Sequence, residues 1–111
     1  MAATAIRANL RPILAELRRG LEAIYGDRLA RLVLFGSQAR GDAKPDSDID
    51  VLVVLKDPED SGEGISRCSE FIAGISLEHN TVVCPVYISE DRFQREQSPL
   101  MLNVRKEGVA L

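Results

Sequence analysis

The sequence predicts a small α/β (α+β) domain in which helices pack on a short mixed sheet. Three observations predict it: a helical apolar stripe in the first quarter, three strand-like apolar runs, and a second helical pattern between the last two of those runs. At 111 residues the chain suits one core. No repeat, low-complexity tract or linker interrupts it, so a single domain over residues 1–111 is expected.

Ile13, Leu17, Leu21 and Ile24 recur at helical spacing, and Leu14 widens the stripe. Pro12 belongs in the first turn of that helix, or kinks a longer one that begins near Thr4. Gly26 ends it. Arg28 to Phe35 reads as a strand whose continuous Leu32-Val33-Leu34-Phe35 implies cover on both faces. Gly36-Ser37 opens a short helical turn through Arg40, and Gly41 to Ser47, with Pro45, is a loop. Asp48 to Leu55 is a second strand, close enough to pair antiparallel with the first. Asp57-Pro58 and Ser61 to Gly64 form a loop before a helix outlined by Ile65, Cys68, Ile72 and Ile75. Thr81 to Ile88 is the third strand, and Pro85 within it argues for a sheet edge or a bulge. Ser89 caps a helix, and Ser98-Pro99 restarts one that Gly108 closes.

The net charge of −3 supplies no basic field, which disfavours a nucleic-acid substrate. Arg7, Arg11, Arg18, Arg19, Arg28 and Arg31 read as solvated helix charges. Cys68 and Cys84 lack metal-ligand spacing and read as buried free thiols of a reducing compartment. No apolar run approaches the length of a membrane span, and the amino end lacks a long apolar signal region, so no membrane association and a cytoplasmic location are expected.

The chemistry concentrates in Leu34 to Leu55, LFGSQARGDAKPDSDIDVLVVL. Strand residues two apart point to one face, roughly 6.6–6.8 Å apart along the strand. Asp48 and Asp50 therefore aim together, while Ile49 and Val51 aim into the core. Two such carboxylates repel unless a cation lies between them. Magnesium suits the place, because it takes oxygen ligands and shares them with substrate phosphates, and a two-metal centre is one form of such a site. Gly36 lets backbone approach a phosphate, Ser37 adds a hydroxyl, and Arg40 offers a fork of donors. Asp46, Asp48 and Asp50 also resemble the start of a calcium loop, but Val51 stands where that loop needs glycine.

Gly36-Ser37-Gln38-Ala39-Arg40-Gly41, followed by Ser47-Asp48-Ile49-Asp50-Val51-Leu52, resembles the signature of the DNA polymerase β nucleotidyltransferase superfamily, and more narrowly its minimal nucleotidyltransferase proteins. The motif covers about a fifth of the chain, and the strand order extends the likeness over nearly all of it. The resemblance implies transfer of a nucleoside monophosphate from a triphosphate with release of pyrophosphate. It places the triphosphate on Gly36 and Ser37, magnesium on Asp48 and Asp50, and phosphate assistance on Arg40. It also implies ATP as donor, a protein hydroxyl as acceptor, and a small helical HEPN-type partner to which the chain is the antitoxin-like half.

One departure stands out. Active relatives add a third carboxylate on a neighbouring strand, and Thr81 to Ile88 has no Asp or Glu. Glu78 and Glu90 flank that strand, and Glu78 reaches the site only if the strand starts early. His79 reads as a surface histidine, and Tyr25 and Tyr87 as packing residues with stacking on a base as the alternative. So short a chain has little surface left for base and acceptor, so a partner or a second copy is expected to complete the pocket. The competing function is a nucleotide- or partner-binding module of the same fold that has lost turnover. A nucleotide-sugar glycosyltransferase fails on length and on the upstream Gly-Ser turn.

Overall fold

The computed structural model describes residues 10–41, 47–56 and 62–111. A helix start near Thr4, the middle of the Gly41–Ser47 loop, and Asp57-Pro58 with Ser61 lie outside the described residues. The first apolar stripe forms α1 (Arg11–Tyr25), which buries Ile13, Leu14, Leu17, Leu21 and Tyr25. Pro12 sits in its first turn, where a missing N–H costs little. Gly26 stops the helix at φ 56°, and a 3-10 turn over Gly26–Arg28 leads into β1 (Leu29–Phe35). A single helical turn, α2 (Ser37–Arg40), separates β1 from β2 (Ile49–Leu55). Then follow α3 (Gly62–His79), β3 (Val83–Ser89), α4 (Glu90–Arg95), α5 (Pro99–Glu107) and β4 (Val109–Ala110).

The strands form one mixed sheet in the order β3-β2-β1-β4. β1 pairs antiparallel with β2 and β4, and β2 pairs parallel with β3, as the intervening α3 crossover requires. Pro85 does lie on an edge strand. Strand alternation sorts the apolar residues into two cores. Ile49, Val51, Val53 and Leu55 join Leu32 and Leu34 beneath α1 and α3, with Cys68, Ile72 and Ile75 from α3. Leu52, Val54, Val33 and Ile88 face the other way, against Met101 and Val104 of α5. On that second face, Asp50 and Cys84 stand at the end beyond the buried apolar cluster, and both are only half-buried.

Several expectations are corrected. Gly62 to Gly64 belongs to α3 rather than to a loop, and the strands begin one or two residues later than their apolar runs. The two expected caps are present and start separate helices, α4 and α5: Ser89 Oγ accepts from Arg92 N–H at 3.2 Å and Ser98 Oγ from Met101 N–H at 3.3 Å. Arg105 then ties α5 to α4 by donating to the Phe93 and Glu96 carbonyls. β4 was not expected. It depends on the tight exit from α5, where Gly108 N–H donates to the Val104 carbonyl at 2.7 Å.

A Cβ on Gly108 would lie 2.5 Å from that carbonyl oxygen and 2.6 Å from Val33 Cγ1. Gly108→Ala should therefore lower folding stability by about 1–3 kcal/mol, as overpacking of a filled position does. Urea unfolding followed by circular dichroism measures this; an unchanged midpoint would contradict the packing of β4.

Candidate active site

The register of β1 on β2 builds the site. Phe35 pairs with Asp50, so the residue that follows Phe35 is carried to the Asp50 side chain. That residue is Gly36, whose φ of 77° favours glycine. A Cβ there would lie 2.6 Å from Asp50 Oδ2. Glycine is thus required twice, by its backbone angle and by the carboxylate laid against it. α2 begins immediately afterwards, so the Ser37 and Gln38 N–H groups have no carbonyl one turn earlier to bond within the helix. Gly41, at φ 83°, ends the turn.

Gln38 fixes the other side. It is buried, and its Nε2 donates to the Ser47 carbonyl at 3.1 Å, which pins the residue before Asp48 against α2. Its Oε1 is buried with no hydrogen-bond partner. Sequence reading missed Gln38; its position inside the Gly-Ser motif was the available signal.

Asp48 is exposed just ahead of β2, and Asp50 is half-buried one residue inside it. Burial raises the Asp50 carboxyl above its ordinary pKa, and the Asp48 charge raises it further, while the Arg40 guanidinium opposes both. The structure therefore brings Gly36, Asp48 and Asp50 together, with Arg40 close enough to act on Asp50. Arg40 is also engaged at the carboxyl end of the described chain, with its Nη1 3.3 Å from Glu107 Oε2 of α5.

Cys84 is corrected from a buried thiol to a half-buried one on the site face. It pairs with Asp50 across β2 and β3, and its Sγ lies 3.8 Å from Asp48 Oδ2. Burial, then the two aspartate charges, push its thiol pKa up. Cys68 is buried as expected, with Sγ 2.8 Å from the Tyr87 hydroxyl. Tyr87 packs against the α1–α3 core, and Tyr25 is buried in it.

Neither flanking glutamate reaches the aspartates. Glu78 ends α3 beside Glu16 and His79, in the helical layer on the opposite face of the sheet. His79 Nε2 lies 2.9 Å from Glu16 Oε2, and that contact draws the Glu16 pKa down. Glu90 begins α4 six residues beyond Cys84, about 20 Å along the strand.

The donor set fits a divalent cation. Two carboxylates share one face, burial and then the Asp48 charge disfavour the Asp50 anion, and the Gly36 backbone lies against Asp50. Asp48 and Asp50 would hold the metal.

A family model described as a nucleotidyltransferase domain matches residues 14–102. The chain belongs to this family. Among curated relatives, MJ0604 of Methanocaldococcus jannaschii is 31% identical over 104 residues, 93% of this chain and 98% of its own length. MJ0141 of the same organism is 32% identical over 74 residues, 67% of this chain and 74% of its own. Each is named as a candidate protein adenylyltransferase. A solved toxin–antitoxin with AMP-PNP shares the fold at TM-score 0.61 and 23% identity, covering 86% of this chain and 69% of its own. A mutant of the MntA–HpeT toxin–antitoxin gives 0.57 and 25%, covering 95% and 72%. A candidate nucleotidyltransferase from Sulfolobus solfataricus gives 0.51 and 23%, covering 90% and 86%. The helix-flanked mixed sheet is thus the nucleotidyltransferase fold, and the family's general activity is nucleotidyl transfer. Among the described residues no helix is long and apolar enough to cross a membrane.

Because Asp50 binds its proton more tightly when folded, its contribution to stability is most favourable at acid pH and falls as pH rises through its elevated pKa. Asp50→Asn should accordingly raise Tm at neutral pH by about 1–4 °C, and the difference should vanish near pH 3. Calorimetry across pH tests this; a variant less stable than the parent at pH 7 would contradict the repulsion.

Proposed function

We propose that the chain transfers AMP from ATP to a hydroxyl on a partner protein, as the antitoxin-like half of a two-protein module. One observation carries the proposal: β1–β2 register lays the Asp50 carboxylate against Gly36, with Asp48 on the same face. Both the metal-holding and the phosphate-holding halves of nucleotidyl transfer then meet at one point. Adenylyl as the group transferred is supported by the names of the two Methanocaldococcus relatives. A protein partner is supported by the toxin–antitoxin neighbours, and a HEPN-type helical protein is the partner we propose.

In this reading Gly36 and the Ser37 N–H and hydroxyl cradle the β- and γ-phosphates. Arg40 offers donors to phosphate and restrains Asp50 electrostatically. Asp48 and Asp50 would hold magnesium, which when bound would neutralise charge on the triphosphate. Gln38 positions Asp48 through Ser47. The proposed module occupies residues 1–111 as one domain and works in the cytoplasm. Exposed Val82 and Val86 flank Cys84 on the site face and offer apolar surface to an incoming acceptor.

A second reading, a nucleotide- or partner-binding module without turnover, is favoured by one feature: β3 presents Cys84, not a carboxylate, opposite Asp50. The general base for the acceptor hydroxyl is then missing from this chain's described residues.

ATP labelled at the α-phosphate, incubated with Mg2+, this chain and its co-purifying partner, should label the partner. The Asp48→Asn/Asp50→Asn double variant should reduce labelling to background. Labelling retained by that variant would overturn the assignment. Nucleotide binding by calorimetry with no labelling would favour the binding module.

A further inference from the structure

We propose that Gln38 is a specificity-determining residue of the metal centre: by pinning Ser47 it fixes where Asp48 stands, and so favours Mg2+ over Ca2+. The proposal rests on the reading of Asp48 and Asp50 as metal ligands.

The two carboxylates are held in different ways. Asp50 lies inside the sheet, paired with Phe35 of β1 on one side and Cys84 of β3 on the other. Asp48 precedes β2, whose first residue, Ile49, donates its N–H to the Val82 carbonyl at 2.8 Å. The ladder thus stops one residue short of Asp48. On the far side of Asp48, the Ser47 carbonyl accepts from Gln38 Nε2 at 3.1 Å. Gln38 is a firm anchor, because the Gly36 carbonyl closes α2 by accepting from the Ala39 and Arg40 N–H groups, each at 3.1 Å. The amide cannot be reversed at this bond, since that would set Oε1 against the Ser47 oxygen.

The burial of Gln38 is an independent observation. The side chain is 4% exposed, yet its Oε1 has no hydrogen-bond partner. An unbonded buried acceptor opposes folding, and an apolar side chain of the same length would remove that cost. The amide is therefore a poor choice for the core and a good one for holding Ser47.

Selectivity follows from a fixed ligand spacing. Mg2+ demands near-octahedral geometry with bonds of about 2.0–2.1 Å, whereas Ca2+ accepts irregular sets at about 2.3–2.6 Å. A carboxylate released from its anchor can still follow the larger, more tolerant ion, but it no longer offers the smaller one a preset position.

Metal-free full chain, without nucleotide, is titrated with Mg2+ and with Ca2+ by calorimetry. Gln38→Met, close to Gln in length and volume, should weaken Mg2+ binding about tenfold and Ca2+ binding by no more than about twofold. Its Tm should equal or exceed that of the parent, because the unbonded acceptor is gone. Gln38→Asn keeps the amide but falls one methylene short of Ser47, and should shift the Mg2+/Ca2+ ratio in the same direction; it carries the test should the Met variant unfold. Equal losses for both ions, or an unchanged ratio in folded variants while Asp48→Asn still abolishes Mg2+ binding, would overturn the proposal. Mg2+ binding that is insensitive to Asp48→Asn would instead remove the aspartate centre itself, and this proposal with it.

Discussion

The contact between Asp50 and Gly36 is the constraint on which the site depends. It exists because β1 and β2 pair with Phe35 opposite Asp50, so the chain must leave β1 directly beside a carboxylate. A side chain at position 36 would strike Asp50 Oδ2, and the φ of 77° excludes most alternatives. α2 begins at Ser37 because the turn at Gly36 points the chain back over the sheet, where Ala39 joins the α1–α3 core. The glycine turn and the carboxylate laid against it are thus consequences of one strand register.

That arrangement opposes folding. Asp50 is partly removed from water beside another carboxylate, with Arg40 offering partial relief. The surrounding scaffold tolerates this because both faces of β2 are otherwise packed: Ile49, Val51, Leu52, Val53 and Val54 are all fully buried. Gln38 adds rigidity through Ser47, yet leaves its own Oε1 unbonded. Local conflicts of this kind concentrate where function is expected. A cation held between the two carboxylates would offset their repulsion and so stabilise the fold.

Much of the fold was legible because it rests on local periodicity. The α1 stripe, the alternation in DIDVLVVL and the stops at Gly26 and Gly108 each act within a few residues. The Gly36-Ser37 turn and the Asp48–Asp50 pair were legible for the same reason, as parts of one motif. What was not legible depends on contacts distant in sequence. The register of β3 on β2 is not written into TVVCPVYI, so Cys84 looked like another core residue and its place opposite Asp50 was missed. Arg40 and Glu107 meet across 67 positions, and Glu78 stands beside Glu16 because α3 packs on α1. β4 is two residues long, too short for any periodic signal, and forms only because α5 delivers it to the open edge of β1.

Crystals grown with Mn2+ and a non-hydrolysable ATP analogue, measured at the manganese absorption edge, address the central claim directly. The account predicts an anomalous peak shared by the Asp48 and Asp50 carboxylates, with triphosphate oxygens at the Gly36–Ser37 backbone. A peak at Glu16, Glu78 and His79 instead, with the nucleotide away from Gly36, would contradict it.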